Sequence, residues 1–305
     1  MISRTLRAVW MTLLLAACSP FHSDAQMIQY DELIAAPAPH ATKRVQYGSG
    51  PLQFGELFLP TDAANTKRAT IVFIHGGCWM AEYTLDHVAY AAAALASAGY
   101  VVWVPEYRRI GDDGGGWPGT FDDIGNAIDF VRTLAKSESS IDTARVIVSG
   151  HSAGGQLALW AATRSRDVAR AGARAGASAT PLAVRGVVSL AGITDLATYG
   201  SELGGCNASV TPLLGGKPSV VAERYRAVSP IERLPIGVPT TLVHGDRDPI
   251  VPVALTNMFA ARAKAAGDKV TVTTITGVGH FDLIAPQTRA WPAVIAAFQG
   301  ISPPR

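Results

Sequence analysis

Charge is sparse in this 305-residue chain and cysteine sparser still: 16% of residues are charged, the formal net charge is +2, and there are three cysteines. Removing Arg4 and Arg7 with the leader discussed below leaves 24 basic against 24 acidic residues. So neutral a chain has no electrostatic footprint for nucleic acid, and that class of partner is excluded. The cysteines and seven histidines form no cluster with metal-ligand spacing, and no glycine-rich loop matches a phosphate or dinucleotide pattern. No metal or cofactor is expected. Nor is there an apolar stretch near the start long enough to span a bilayer, since 8–17 is too short. What the chain does have is apolar mass. It is 48% hydrophobic, which suits one well-buried domain.

That mass is distributed as alternating strand and helix patterns. Apolar runs at 69–74, 101–104, 145–149, 186–190, 240–243 and 270–275 read as strands, with helices over 85–98, 120–134, 156–163, 253–266 and 289–298. Residues 45–59 read as a leading hairpin turning at 48–51. Alternation of this kind predicts an α/β fold, a mostly parallel central sheet with helices on both faces. Phe121, Ile124, Ile128, Val131 and Leu134 mark one helical face, with Thr120 as its cap. The Ala/Arg/Gly run 169–179 reads as a loop, and the Gly/Ser/Thr-rich stretch 192–226 as an insertion roofing a pocket.

Between the strand at 145–149 and the helix after it stands Gly150-His151-Ser152-Ala153-Gly154. A G-x-S-x-G pentapeptide in that setting is a nucleophile elbow, a turn too tight for large side chains that presents Ser152 Oγ. A serine hydroxyl needs a base, and the base needs an orienting acid, in chain order Ser, Asp/Glu, His. His22 and His40 lie in a coreless N-terminal segment, His87 in a helical stretch, and His151 within the elbow. His75 and His244 precede any usable acid. His280, in a glycine-flanked loop behind the last strand, is left as base. For the acid, Asp248 stands several residues past the strand at 240–243, far enough to reach the imidazole; Asp195, Asp246 and Asp282 are the alternatives. Upstream, the strand at 69–74 runs into His75-Gly76-Gly77-Cys78-Trp79. The N–H groups of Gly76, Gly77 and Ala153 are the expected oxyanion donors. Trp79 and Trp117 are candidates to line the pocket, while Glu106 and Arg108 are expected to fix a loop through a salt bridge.

The succession HGGCW, Glu106-Tyr107-Arg108, GHSAGG, HGDRDPIVP and GHF resembles the α/β-hydrolase superfamily, over residues 43–298. Within it the chain is similar to the esterase group that includes hormone-sensitive-lipase-like, feruloyl-esterase-like and kynurenine-formamidase-like proteins. The resemblance implies Ser152 as nucleophile, Asp248 as acid, His280 as base, and cofactor-free hydrolysis of a small-molecule ester, or of an aryl formamide or peptide bond. A catalytically inactive binding lipoprotein on the same scaffold is the reading from another class. Cys78 stands where relatives carry a third small residue, and Glu106 where many carry Asp.

At the N-terminus, Arg4 and Arg7 precede the apolar 8–17, which reads as a signal peptide over 1–17. Leu15-Ala16-Ala17-Cys18 resembles a bacterial lipobox with Cys18 as the lipidated residue. The implied location is the bacterial envelope, at the outer membrane or periplasmic face rather than the inner membrane. Residues 18–42 then form a tether without a core, and 43–305 the catalytic domain. Cys78 and Cys206 remain as an even pair in an oxidising space, either bridged across the pocket rim or two buried thiols.

Overall fold

The computed structural model describes residues 27–62, 66–165, 180–201 and 205–305. The signal segment, Cys18 and the 169–179 run lie outside these residues. Eight strands form one sheet: β1 (Lys43–Gln46), β2 (Phe54–Phe58), β3 (Arg68–Ile74), β4 (Val101–Pro105), β5 (Ile141–His151), β6 (Gly186–Leu190), β7 (Thr240–Gly245) and β8 (Val270–Ile275). Their order is β1-β2-β4-β3-β5-β6-β7-β8. β2 runs antiparallel to both β1 and β4, and the other neighbours are parallel.

A parallel sheet covered on both faces needs strands that are apolar on both sides, and every residue of β3, β4 and β6 is buried. Successive side chains serve opposite faces. Val72, Ile74, Val146 and Val148 enter one apolar cluster, and Ile71, Phe73 and Ile147 the other. The sequence order turns outward in both directions from β3 and β5, so a crevice opens at their carboxyl ends. Both the serine turn and the double-glycine loop issue from that point.

Helices follow the predicted pattern with local breaks. The stretch 85–98 is a 3-10 turn, Leu85–Val88, leading into a helix, Ala89–Ser97. The Leu85 N–H is drawn to Glu106 Oε2 (3.1 Å), which holds the first turn tight. The next helix divides at Phe130 into Gly119–Asp129 and Val131–Ser137. Thr120 is not its cap; its hydroxyl donates to the Arg108 carbonyl from inside the first turn.

The tether reading is corrected for the described part of 18–42. A short helix, Tyr30–Leu33, buries Leu33 against the sheet's second apolar cluster. The Ile28 N–H donates to Asp282 Oδ1 (3.4 Å), and the Tyr90 hydroxyl donates to the Pro37 carbonyl (3.0 Å). Ile28 and Leu33 give the segment enough apolar surface to lie down as a strap. The stretch 192–226 is only partly a roof. Cys206 reaches the cavity, whereas Leu196, Tyr199 and Leu213 are core.

Candidate active site

β5 ends at His151 and the following helix, Ala153–Ala162, starts one residue after Ser152, so Ser152 alone makes the turn. It does so at φ 57° and ψ −121°, a strained backbone for a residue with a side chain. The neighbours leave no alternative: the Ser152 N–H donates to the Leu190 carbonyl (2.9 Å) and its carbonyl accepts from Gly155 N–H (2.9 Å). A Cβ on Gly150 would come within 2.3 Å of the Gly154 carbonyl oxygen, and one on Gly154 within 2.1 Å of that of Ile74. Packing at these distances is possible only for glycine.

The double-glycine loop lies beside this turn. A Cβ on Gly76 would stand 2.8 Å from the His151 carbonyl and 3.1 Å from Ser152 Cβ. Gly77, at φ 94°, lines the cavity. Ala153 is the first residue of its helix, at the positive end of the helix dipole.

Of the four candidate acids, Asp248 is the one bonded to His280. The His280 Nδ1–H donates to Asp248 Oδ2 at 2.6 Å, while Asp248 Oδ1 accepts from Ile250 N–H (2.8 Å) and Val251 N–H (2.9 Å). Asp195 instead caps the short helix Leu196–Tyr199 through Thr198, Asp246 accepts from Gly277 N–H, and Asp282 from Gly279 N–H. Burial favours protonation of Asp248, but the hydrogen bonds from His244 and His280 and the charge of His280 outweigh it. The carboxyl is held well below the usual carboxylate range. Because Nδ1 carries the proton, Nε2 of His280 presents its lone pair. Ser152 and His280 line the same cavity of about 420 Å³, with Met80, Tyr83 and Phe281 as apolar wall. No hydrogen bond joins Ser152 to His280 among the described residues; in sites without substrate that contact is commonly loose.

Two histidines set aside on sequence grounds support this pair. His244, fully buried at the end of β7, brings Nε2 to 3.2 Å from Asp248 Oδ2 and 2.9 Å from the Val251 carbonyl, with Nδ1 on the Thr256 hydroxyl (2.7 Å). His151 donates from Nε2 to the His280 carbonyl (3.0 Å), tying the serine turn to the loop that carries His280. Their sequence signal was a polar residue at the end of a buried strand. Glu106 pairs with His75 (2.8 Å) and Arg109 (3.2 Å), and Arg108 with Asp123 (2.7 Å), so these two fix separate loops.

Both tryptophan expectations are corrected. Trp79 is fully buried below the site, its Nε1–H donating to Gln156 Oε1 (3.1 Å). Its positive φ of 57° turns the indole to the core, where its one donor finds a partner. Trp117 packs against Phe121, ring centroids 5.6 Å apart, and is likewise absent from the cavity wall. Aromatic surface comes instead from Tyr30 on the strap, which meets Tyr83 (5.4 Å) and Phe281 (5.6 Å). Cys78 and Cys206 form a disulfide at the cavity wall, with Cα atoms 5.0 Å apart. Among the described residues no group of three or more His, Cys, Asp or Glu could hold a metal ion.

A family model described as BD-FAE matches residues 56–262. Esterase LipC of Mycobacterium tuberculosis is 27% identical over 253 residues, covering 79% of this chain and 60% of LipC. Esterase LipQ of the same organism is 25% identical, covering 87% of this chain and 64% of LipQ. The chain thus spans less than two thirds of either relative. Among solved structures, a truncated carbohydrate esterase from gut microbiota superposes with a TM-score of 0.71 at 22% identity, covering 87% of this chain and 97% of that one. Esterase 2 of Thermogutta terrifontis, solved phosphonylated by sarin, gives 0.69 at 21%, covering 88% and 98%. These structural likenesses establish the fold, that of α/β-hydrolases.

Proposed function

Because the chain belongs to the BD-FAE family, we propose that it is a serine hydrolase that cleaves carboxylic esters of small to medium acyl or aryl groups through an acyl-enzyme. The observation that carries this reading is the convergence of Ser152 and His280 on one cavity, with Asp248 bonded to the far nitrogen of the imidazole. The family match and the naming of LipC and LipQ as esterases point the same way.

In this mechanism Ser152 Oγ attacks the ester carbonyl carbon as its proton passes to His280 Nε2. Asp248, ionised and bonded to Nδ1–H, fixes the tautomer and stabilises the imidazolium without taking its proton. The carbonyl π electrons move onto oxygen, and the oxyanion is met by the N–H groups of Gly76, Gly77 and Ala153, each donor contributing about 2.7–4 kcal/mol. Collapse expels the alkoxide, which takes the proton from His280 and leaves an acyl-Ser152. Water, giving its proton to His280, attacks the acyl carbon; collapse of that second intermediate releases the acid and returns the proton to Ser152. Export and anchoring through Cys18 belong to the same proposal, supported by Arg4, Arg7 and the Leu15-Ala16-Ala17-Cys18 run.

Labelling by a fluorophosphonate probe tests the chemistry, followed by turnover of p-nitrophenyl esters against N-formylkynurenine and aminoacyl amides. Labelling of the native chain but not of Ser152→Ala, with ester turnover, is expected. An unlabelled chain that binds esters without cleaving them overturns the reading in favour of a binding protein.

A further inference from the structure

His87 lines the catalytic cavity and also a second chamber, of about 320 Å³, beneath residues 33–38 of the strap. Tyr30 and Glu82 are the other residues common to both. His87 is 4% exposed and sits in the tight turn Leu85–Val88. Its Nδ1 is 2.7 Å from the Thr84 carbonyl oxygen. A carbonyl can only accept, so Nδ1 bears the ring proton. Burial, and then the neighbouring His75, keep off a second proton, and the pKa is lowered to about 3. Nε2 is therefore a bare acceptor at every ordinary pH, and it has no hydrogen-bond partner among the described residues.

His151 offers a second open acceptor on the serine side, this one fully buried. Its Nε2–H is committed to the His280 carbonyl, and its Nδ1 is buried without a partner. A buried polar atom left unpaired is costly, and a cavity wall is where a ligand can supply the missing donor. The charges narrow the ligand. No Lys or Arg lines either chamber among the described residues, and Glu82 and Asp86 stand exposed on the rim, so an anionic group is disfavoured. The two carboxylates are water-screened, whereas the acceptor nitrogen of His87 is neutral, which favours an uncharged donor over an ammonium.

We propose that the second chamber is a substrate subsite for an uncharged, hydroxyl-bearing part of the ester, with His87 Nε2 as the hydrogen-bond acceptor. The proposal rests on the reading of the Ser152 cavity as an ester-hydrolase site.

The test uses the full chain and two matched series. On the acyl side these are the p-nitrophenyl esters of hexanoate, 6-hydroxyhexanoate and 6-aminohexanoate, with the monoester of adipate. On the alcohol side they are propyl and 2,3-dihydroxypropyl butyrate. We expect kcat/KM about tenfold higher for the hydroxylated member of one series than for its plain counterpart, the ratio given by a hydrogen bond of ordinary net strength. The adipate monoester should be the poorest of its series. In His87→Phe, which keeps a ring but removes the acceptor, the ratio should fall to about one, and His87→Gln should restore part of it. Ile34→Trp fills the second chamber from a side chain that is 46% exposed, so it provides the same test should the buried variants fail to fold. No hydroxyl preference in the native chain, a preference that survives both His87→Phe and Ile34→Trp, or a stronger preference for the ammonium ester would each overturn the proposal. Failure of every ester together with absence of fluorophosphonate labelling would instead count against the hydrolase reading itself.

Discussion

On one side of the cavity the serine turn is held by its own backbone. Gly150 and Gly154 pack at distances that admit no Cβ, and Ser152 sits at φ 57° because the chain there has no room for another path. On the other side, the loops carrying Asp248 and His280 are held by side chains. His244 reaches Asp248 from the end of β7, His151 reaches the His280 carbonyl from across the cavity, and Asp282 gathers the N–H groups of Gly279 and Ile28. A turn fixed by backbone loses chemistry without losing shape when its side chain is cut. Loops fixed by side chains lose both, and by degrees.

The widest break in that contrast is Ser152→Ala. It removes the proposed nucleophile and leaves the turn, so kcat should drop about 10⁴–10⁶-fold with the melting temperature near that of the native chain. Next is Asp248→Asn, expected to lower activity about 10⁴-fold through loss of the correct imidazole tautomer. Here stability should suffer as well, because the Asn amide faces donors. The sign with pH follows from the lowered carboxyl pKa. A depressed acid stabilises the folded chain above its unfolded-state value and loses that contribution as pH falls through the folded one. Urea midpoints of the native chain and Asp248→Asn should therefore lie furthest apart near neutral pH and converge in strong acid. A gap independent of pH would place the Asn effect in packing. Asp195→Asn, which leaves an equally good cap on a short helix, should leave kcat nearly unchanged.

A smaller step tests the support rather than the acid. His244→Leu removes one of the donors that hold Asp248, and kcat should fall about 10- to 100-fold with little change in KM, the effect of losing a hydrogen bond to a charged group. His244→Asn, which retains a donor, should recover part of the rate. A merely structural role would instead lower the amount of active enzyme and leave kcat per labelled Ser152 intact.

The same contrast explains what could be read in the sequence. The turn was legible because close backbone approach admits only glycine, and glycine spacing is written in the chain. The strands were legible because burial on both faces demands continuous apolar runs. Asp248 could be placed only among four candidates, since several loop aspartates follow strands and the one that meets His280 is decided by loop paths. The roles of His151, His244 and His87 are not legible, because their partners lie in other segments or in backbone carbonyls, which no local pattern records. The tryptophans misled for a related reason. Trp79 stands next to the glycine loop in sequence, yet its backbone φ points the indole to Gln156. The strap, with Ile28, Tyr30 and Leu33 among alanines and prolines, is too short to show a period.

The Cys78–Cys206 disulfide belongs to neither class of support, since it ties the glycine loop to the insertion by a covalent bond over a sequence separation of 128. Its loss should give the smallest change in rate and a clear change in stability. The double variant Cys78→Ser/Cys206→Ser should unfold about 2–5 kcal/mol more easily, as removal of a native disulfide typically does. The backbone of Gly76 and Gly77 is already confined by His151, Ser152 and Tyr83, so kcat should fall only a few-fold. Denaturant melts and kcat measured with and without reductant distinguish the two roles. If kcat instead collapsed as far as in Asp248→Asn while KM held, the glycine loop would owe its shape to the cross-link, and the division between backbone-held and side-chain-held sides of the cavity would have to be redrawn.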